Sequence, residues 1–163
     1  MDSARRSLLR GRQAITEFRP PWLRSPGSFT RECTRCDQCI EACPELILRP
    51  GDGGFPVVDF SRGECTFCGE CTRYCEPGLF YQALDDNHRG WTHKAKVDER
   101  CLTYYGIMCR SCEDACEPAA IRFPLSAGTI PSPQLNIEAC TGCGACIAPC
   151  PESAITMAQE GSP

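Results

Sequence analysis

Residues Glu32 to Glu45 read ECTRCDQCIEACPE, in which Cys33, Cys36, Cys39 and Cys43 are separated by two, two and three residues and Pro44 follows directly. An ordinary apolar core does not need thiols at fixed intervals, whereas a centre that binds sulfur does. The pattern recurs three times. Cys65, Cys68, Cys71 and Cys75 form a second run and Cys140, Cys143, Cys146 and Cys150 a fourth, both reading CxxCxxCxxxC. The third, Cys101, Cys109, Cys112 and Cys116, keeps the later spacings but opens its first gap to seven residues, LTYYGIM. The runs account for all sixteen cysteines of a 163-residue chain, so the repeat, not any single motif, organises the molecule.

The flanks repeat as well. PVVDFSRGEC, KAKVDERC and QLNIEAC precede the second, third and fourth runs, short apolar stretches that suit a strand entering a ligand loop. CPELILR, CEPGLFY, CEPAAIRF and CPESAITM follow the four runs, and a proline there predicts the first turn of a short helix. Each unit is then strand, loop and helix, with little apolar surface to bury. Two such units make about 60 residues, near the lower limit for a hydrophobic core, so something else must fill the centre.

Disulfides would fill it only in an oxidising compartment. The start, MDSARRSLLRGRQAITEFRPPWLRSPG, carries a twin-arginine-like ARRSLLR but returns to Arg10, Arg12, Glu17 and Arg19 where an export signal needs an apolar stretch. The expectation is a cytoplasmic protein with reduced thiols and no membrane span. Structural zinc uses two separated CxxC pairs and leaves the third cysteine of each run without a role. In CxxCxxC three thiols can face one polynuclear centre, while the fourth, three residues on, reaches the neighbouring one. The spacing therefore predicts 4Fe-4S clusters held reciprocally: Cys33, Cys36 and Cys39 with Cys75; Cys65, Cys68 and Cys71 with Cys43; Cys101, Cys109 and Cys112 with Cys150; Cys140, Cys143 and Cys146 with Cys116. Up to four clusters follow, the excursion before Cys109 leaving Cys101 a loose ligand. The predicted fold is α+β: tandem bacterial two-cluster ferredoxin-like modules, 29–90 and 91–163, with short strands and short helices around the clusters, behind a basic, flexible arm at 1–28.

Charge separates arm from body. Residues 1–32 carry seven arginines against Asp2, Glu17 and Glu32, while the remainder holds ten basic and eighteen acidic residues. Arginines are scarce beyond the arm and no base-stacking motif accompanies them, which argues against nucleic acid. Gly142 and Gly144 in run four suit close backbone approach to a cluster; Arg35, Asp37 and Gln38 make run one more polar. His88 and His93, in a polar connection, read as solvated, and Tyr104 and Tyr105 as packing over run three. No nucleophile with a base, carboxylate pair or phosphate loop indicates an enzyme.

With the four runs in order, the irregular third run, the SARRSLLRGR start and RPPW at Arg19 to Trp22, the chain resembles the NapF family of ferredoxin-type proteins encoded with periplasmic nitrate reductases. The resemblance implies a cytoplasmic accessory protein that binds the catalytic subunit precursor of periplasmic nitrate reductase and assists its iron–sulfur maturation before export. Two alternatives stay open: a polyferredoxin electron carrier feeding a redox enzyme, and a scaffold whose iron serves only folding.

Overall fold

The computed structural model describes residues 17–81, 90–124 and 130–159. Its elements are short: helix α1 (Pro26–Glu32), α2 (Gln38–Glu41), strand β1 (Leu48–Pro50), β2 (Pro56–Val58), α3 (Glu70–Arg73), β3 (His93–Val97), α4 (Ser111–Asp114), β4 (Ile121–Arg122), β5 (Gln134–Leu135) and β6 (Ile155–Gln159). Three antiparallel pairs result. β1 runs against β2 with Leu48 opposite Val58, β4 against β5 with Ile121 opposite Leu135, and β3 against β6 with Val97 opposite Ile155.

The two halves repeat one plan. Each has a small antiparallel pair between its cysteine runs and a closing contact that joins its beginning to its end. In the second half the closing contact is β3–β6; in the first it is the bridge between Leu23 and Phe80, supported by Arg24 N–H to Leu79 O at 3.0 Å and Tyr81 N–H to Trp22 O at 2.8 Å.

The strands expected before runs two, three and four are β2, β3 and β5. The expected helices are displaced. They lie across the third cysteine, not after the fourth: α2 contains Cys39, α3 Cys71 and α4 Cys112, while in run four a turn over 145–149 takes the place. After each fourth cysteine comes a tight turn in which Leu46, Gly78, Ala119 or Ser153 donates its N–H to the cysteine carbonyl at 2.9–3.1 Å, with φ of +54°, +65°, +55° and +49°. A left-handed residue cannot continue a helix, and Pro44 and Pro151, in the second position, preset such a turn.

The arm is shorter than expected. Phe18 O accepts the amide of Val58 at 2.8 Å, and Trp22 and Phe29 are 5 % and 1 % exposed, so residues 18–29 are built into the first half. Arg19 explains part of this: its guanidinium lies over the Phe29 and Phe55 rings and donates to Pro56 O at 3.2 Å. Residues 1–16 lie outside the described residues. One apolar cluster runs through both halves, joining Ile47, Leu48, Val58 and Phe60 to Trp91, Ala95, Ile121, Phe123 and Ile155 together with buried cysteines; a smaller one gathers Trp22, Phe29, Leu79 and Phe80.

Candidate metal centres

The structure brings the thiols together in four sets. Site I, Cys33, Cys36, Cys39 and Cys75, lines a hollow of about 360 Å³ walled by Phe29, Leu79 and Phe80. Site III, Cys101, Cys109, Cys112 and Cys150, lines one of about 350 Å³ walled by Val97, Leu102, Phe123 and Ile155. Site IV, Cys116, Cys140, Cys143 and Cys146, lines one of about 300 Å³ walled by Ala95, Ile121 and Met157. At site II the Cys71 thiol stands in the field of Cys65, Cys39 of the neighbouring site I, Cys43 and Cys68. In every set three thiols come from one run and the fourth from its neighbour.

The loops that aim these thiols share a backbone device. In runs one, two and four the second and fourth residues after the first cysteine are left-handed: Arg35 and Asp37, Phe67 and Gly69, Gly142 and Gly144. Alternating left-handed residues curl the loop so that successive thiols turn inward. The glycines of run four answer to neighbouring protein: a Cβ on Gly142 would stand 2.7 Å from His93 O, and one on Gly144 2.0 Å from the Phe60 ring.

Run three reaches the same arrangement by another route. Leu102–Tyr105 form a 3-10 turn whose chain returns through Ile107 N–H to Leu102 O at 3.1 Å, with left-handed Gly106 between. Cys101, expected to be loose, is placed beside Cys109 and Cys112, its Sγ 3.3 Å from the buried Thr103 Oγ1. Tyr104 and Tyr105 do not pack over the run; they are 51 % and 69 % exposed.

Without metal, the surroundings keep these thiols protonated. Burial first, then neighbouring thiols, pushes Cys39, Cys65 and Cys146 up to about 12 and Cys112 to about 11, and raises Cys71 as well. Unliganded, these sulfurs hold their protons; iron would have to displace them. Backbone amides already point at others: Phe67 N–H to Cys65 Sγ at 3.4 Å, Ala120 N–H to Cys116 Sγ at 3.2 Å and Ala154 N–H to Cys150 Sγ at 3.3 Å. No sulfur is used in a disulfide. Thiols on one tetrahedral zinc would stand about 3.8 Å apart, and such a site would need only four of them, whereas each run brings three that face one centre. All-thiol sets around hollows fit a polynuclear cluster.

Two residues near site IV escaped sequence reasoning. His93 is 3 % exposed on β3, and its Nε2–H donates to Gly142 O at 3.1 Å; burial holds it down at about 4, neutral. Lys94, 7 % exposed, donates Nζ–H to Cys140 O at 2.6 Å. Both sit in a segment that looks polar in isolation, and only the alternation of KAKV hinted at a strand. His88 lies outside the described residues.

Reciprocal four-thiol sets on paired small sheets define a tandem two-cluster ferredoxin-type protein. The 4Fe-4S dicluster domain family matches residues 32–80 and again 107–161, which with sixteen cysteines gives capacity for up to four clusters. The ferredoxin-type protein NapF of Escherichia coli is 44 % identical over 158 residues, 96 % of this chain and 94 % of that one. NapF of Haemophilus influenzae is 42 % identical across 90 % of this chain and 81 % of its own, and the methylamine utilization ferredoxin-type protein MauM of Methylobacillus flagellatus 31 % across 86 % and 67 %. The chain belongs to the NapF family of ferredoxin-type proteins.

Proposed function

We propose that each thiol set holds one 4Fe-4S cluster through the four cysteines named for it, and that the loaded protein binds the catalytic subunit precursor of a periplasmic nitrate reductase in the cytoplasm and assists its iron–sulfur maturation before export. Family membership along almost the whole of both chains carries this reading. The clusters would supply iron, sulfide and one-electron chemistry; the chain's part is to hold them and to present them.

Presentation is uneven. Cys36 at site I and Cys68 at site II are the exposed cysteines, whereas Cys43, Cys71, Cys112 and Cys146 are buried. The first module, whose run one carries Arg35 and Asp37, is thus the face a partner can approach, and residues 1–16 precede it. Among the described residues no helix is long and apolar enough to cross a membrane.

Anaerobically purified protein mixed with the cluster-free catalytic subunit tests the role. Iron should move to the subunit without an external electron source. Stable binding of all iron, with rapid reversible reduction, would instead favour the electron-carrier reading, which draws on the hydrogen bond between the two modules described next.

A further inference from the structure

We infer that the seam between the modules places sites II and IV side by side, so that the four sites form one electron path ordered I–II–IV–III instead of two separate pairs. The inference rests on the ligand assignment proposed above. Cys65 of site II donates its backbone N–H to the carbonyl of Cys143 of site IV at 2.9 Å. Two residues assigned to different centres in different modules therefore share one hydrogen bond.

Packing holds that bond in place. Phe60 of the first module fills the space that a Cβ on Gly144 would occupy, 2.0 Å from its ring. Its ring meets Trp91 and His93 edge-on at centroid distances of 5.5 and 5.9 Å, and His93 is tied to Gly142 O at 3.1 Å. The Trp91 indole N–H donates to Arg19 O at 3.1 Å, which clamps the start of the second module to the start of the first. Phe60, Trp91 and His93 are all buried, so the seam is a closed apolar contact in which the loops of runs two and four are fixed relative to one another.

Within each module the sites already adjoin. Cys71 of site II stands in the field of Cys39 of site I, and Cys146 of site IV in that of Cys112 of site III. Across the seam it is Cys65 of site II that meets Cys143 of site IV, whereas the thiols whose field reaches Cys39 and Cys112 first are those of sites I and III themselves, which puts sites I and III at the ends of the series. An electron crossing the seam leaves site II one electron poorer and site IV one richer. No bond forms or breaks, and a low-potential one-electron donor supplies the electron, dithionite in the test.

Removing one terminal site distinguishes a series from two pairs. The full-length Cys33→Ala, Cys36→Ala chain, reconstituted anaerobically and fully reduced with dithionite, should carry three clusters. Its electron paramagnetic resonance spectrum should contain only signals broadened by spin–spin interaction, because site II still has site IV beside it. The mirror chain, Cys101→Ala, Cys109→Ala, should behave alike, and it decides the question should the first fail to load. A Cys65→Ala, Cys68→Ala chain supplies the reference, since it strands site I and should release one isolated, unbroadened signal. An isolated signal from site II or site IV in either terminal-site chain overturns the series while leaving the ligands intact. Iron content that stays at four clusters after a terminal site is removed overturns the ligand assignment instead.

Discussion

Runs three and four face each other within one module and solve the same problem differently. Run four steps from Cys140 to Cys143 through two residues and uses left-handed Gly142 and Gly144 to turn its loop; run three takes seven residues and a 3-10 turn between Cys101 and Cys109. Both end around thiol-lined hollows. What is fixed is where the thiols finish, not how the backbone carries them there. The difference lies in what surrounds each loop. Run four is wedged against Phe60 and His93, whereas run three projects Tyr104, Tyr105, Ile107 and Met108 outward, each more than half exposed.

The contrast is broken most severely by filling the tight loop. Gly144→Val would drive two methyl groups into the Phe60 ring and force a β-branched residue to φ +83°; the expected cost is about 3 kcal/mol or more, with loss of site IV iron. Gly106→Ala in run three meets nothing within 4 Å and should cost only about 1 kcal/mol for its positive φ, with iron unchanged. Denaturant unfolding and iron-to-protein ratios read both. Equal losses in the two variants would abolish the distinction.

Loading should depend strongly on pH. Iron must displace protons from thiols held well above the ordinary cysteine value, so reconstitution at limiting iron should improve steadily as pH rises from 6 to 9. Burial and neighbouring thiols push both Cys146 and Cys112 up, so both sites of that module should share this dependence. Iron titrations on Cys101→Ala and Cys116→Ala chains, each lacking one site of that module, should show tighter binding at higher pH at both remaining sites. Binding at either site that did not change with pH would contradict proton displacement from its thiols.

His93 adds an effect in the same direction at lower pH. Its folded value lies below that of an unfolded histidine, so the unfolded chain binds the extra proton between pH 6.5 and 4. Stability should fall as pH drops through that window, by on the order of 2 kcal/mol. His93→Gln can still donate to Gly142 O but does not titrate, so the two proteins should lie closest in stability at pH 7 and separate toward pH 4, only the histidine protein losing stability in that window.

The smallest expected effect is one in which the runs agree. Ala119 after run three and Ser153 after run four both hold positive φ, where run two has Gly78. Ala119→Gly and Ser153→Gly should each stabilise the protein by about 0.5–1 kcal/mol in thermal unfolding, because glycine meets no Cβ penalty there. A gain in only one of them would show that the turns are not equivalent.

Much of this was legible in the chain. The three-thiol loops, the strands before runs two, three and four, and the α+β pairing of small units all follow from intervals within about a dozen residues. The helices were misplaced because proline marks a turn as readily as a helix start. Trp22 and Phe29 went unrecognised as core since an arginine-rich context masks them, although Arg19 covers the Phe29 ring. His93 looked solvated for the same reason, its neighbours being charged while its strand is buried.

Cysteine spacing by itself determined that the thiols fall into four runs with successive members aimed together, because a short loop leaves few ways to aim consecutive side chains. Tertiary structure alone decided that run two lies against run four, that run three turns its apolar residues outward, and that residues 18–29 belong to the first module. Those outcomes depend on contacts such as Phe60 on Gly144 and Trp91 on Arg19, between residues 84 and 72 positions apart, which no local pattern encodes.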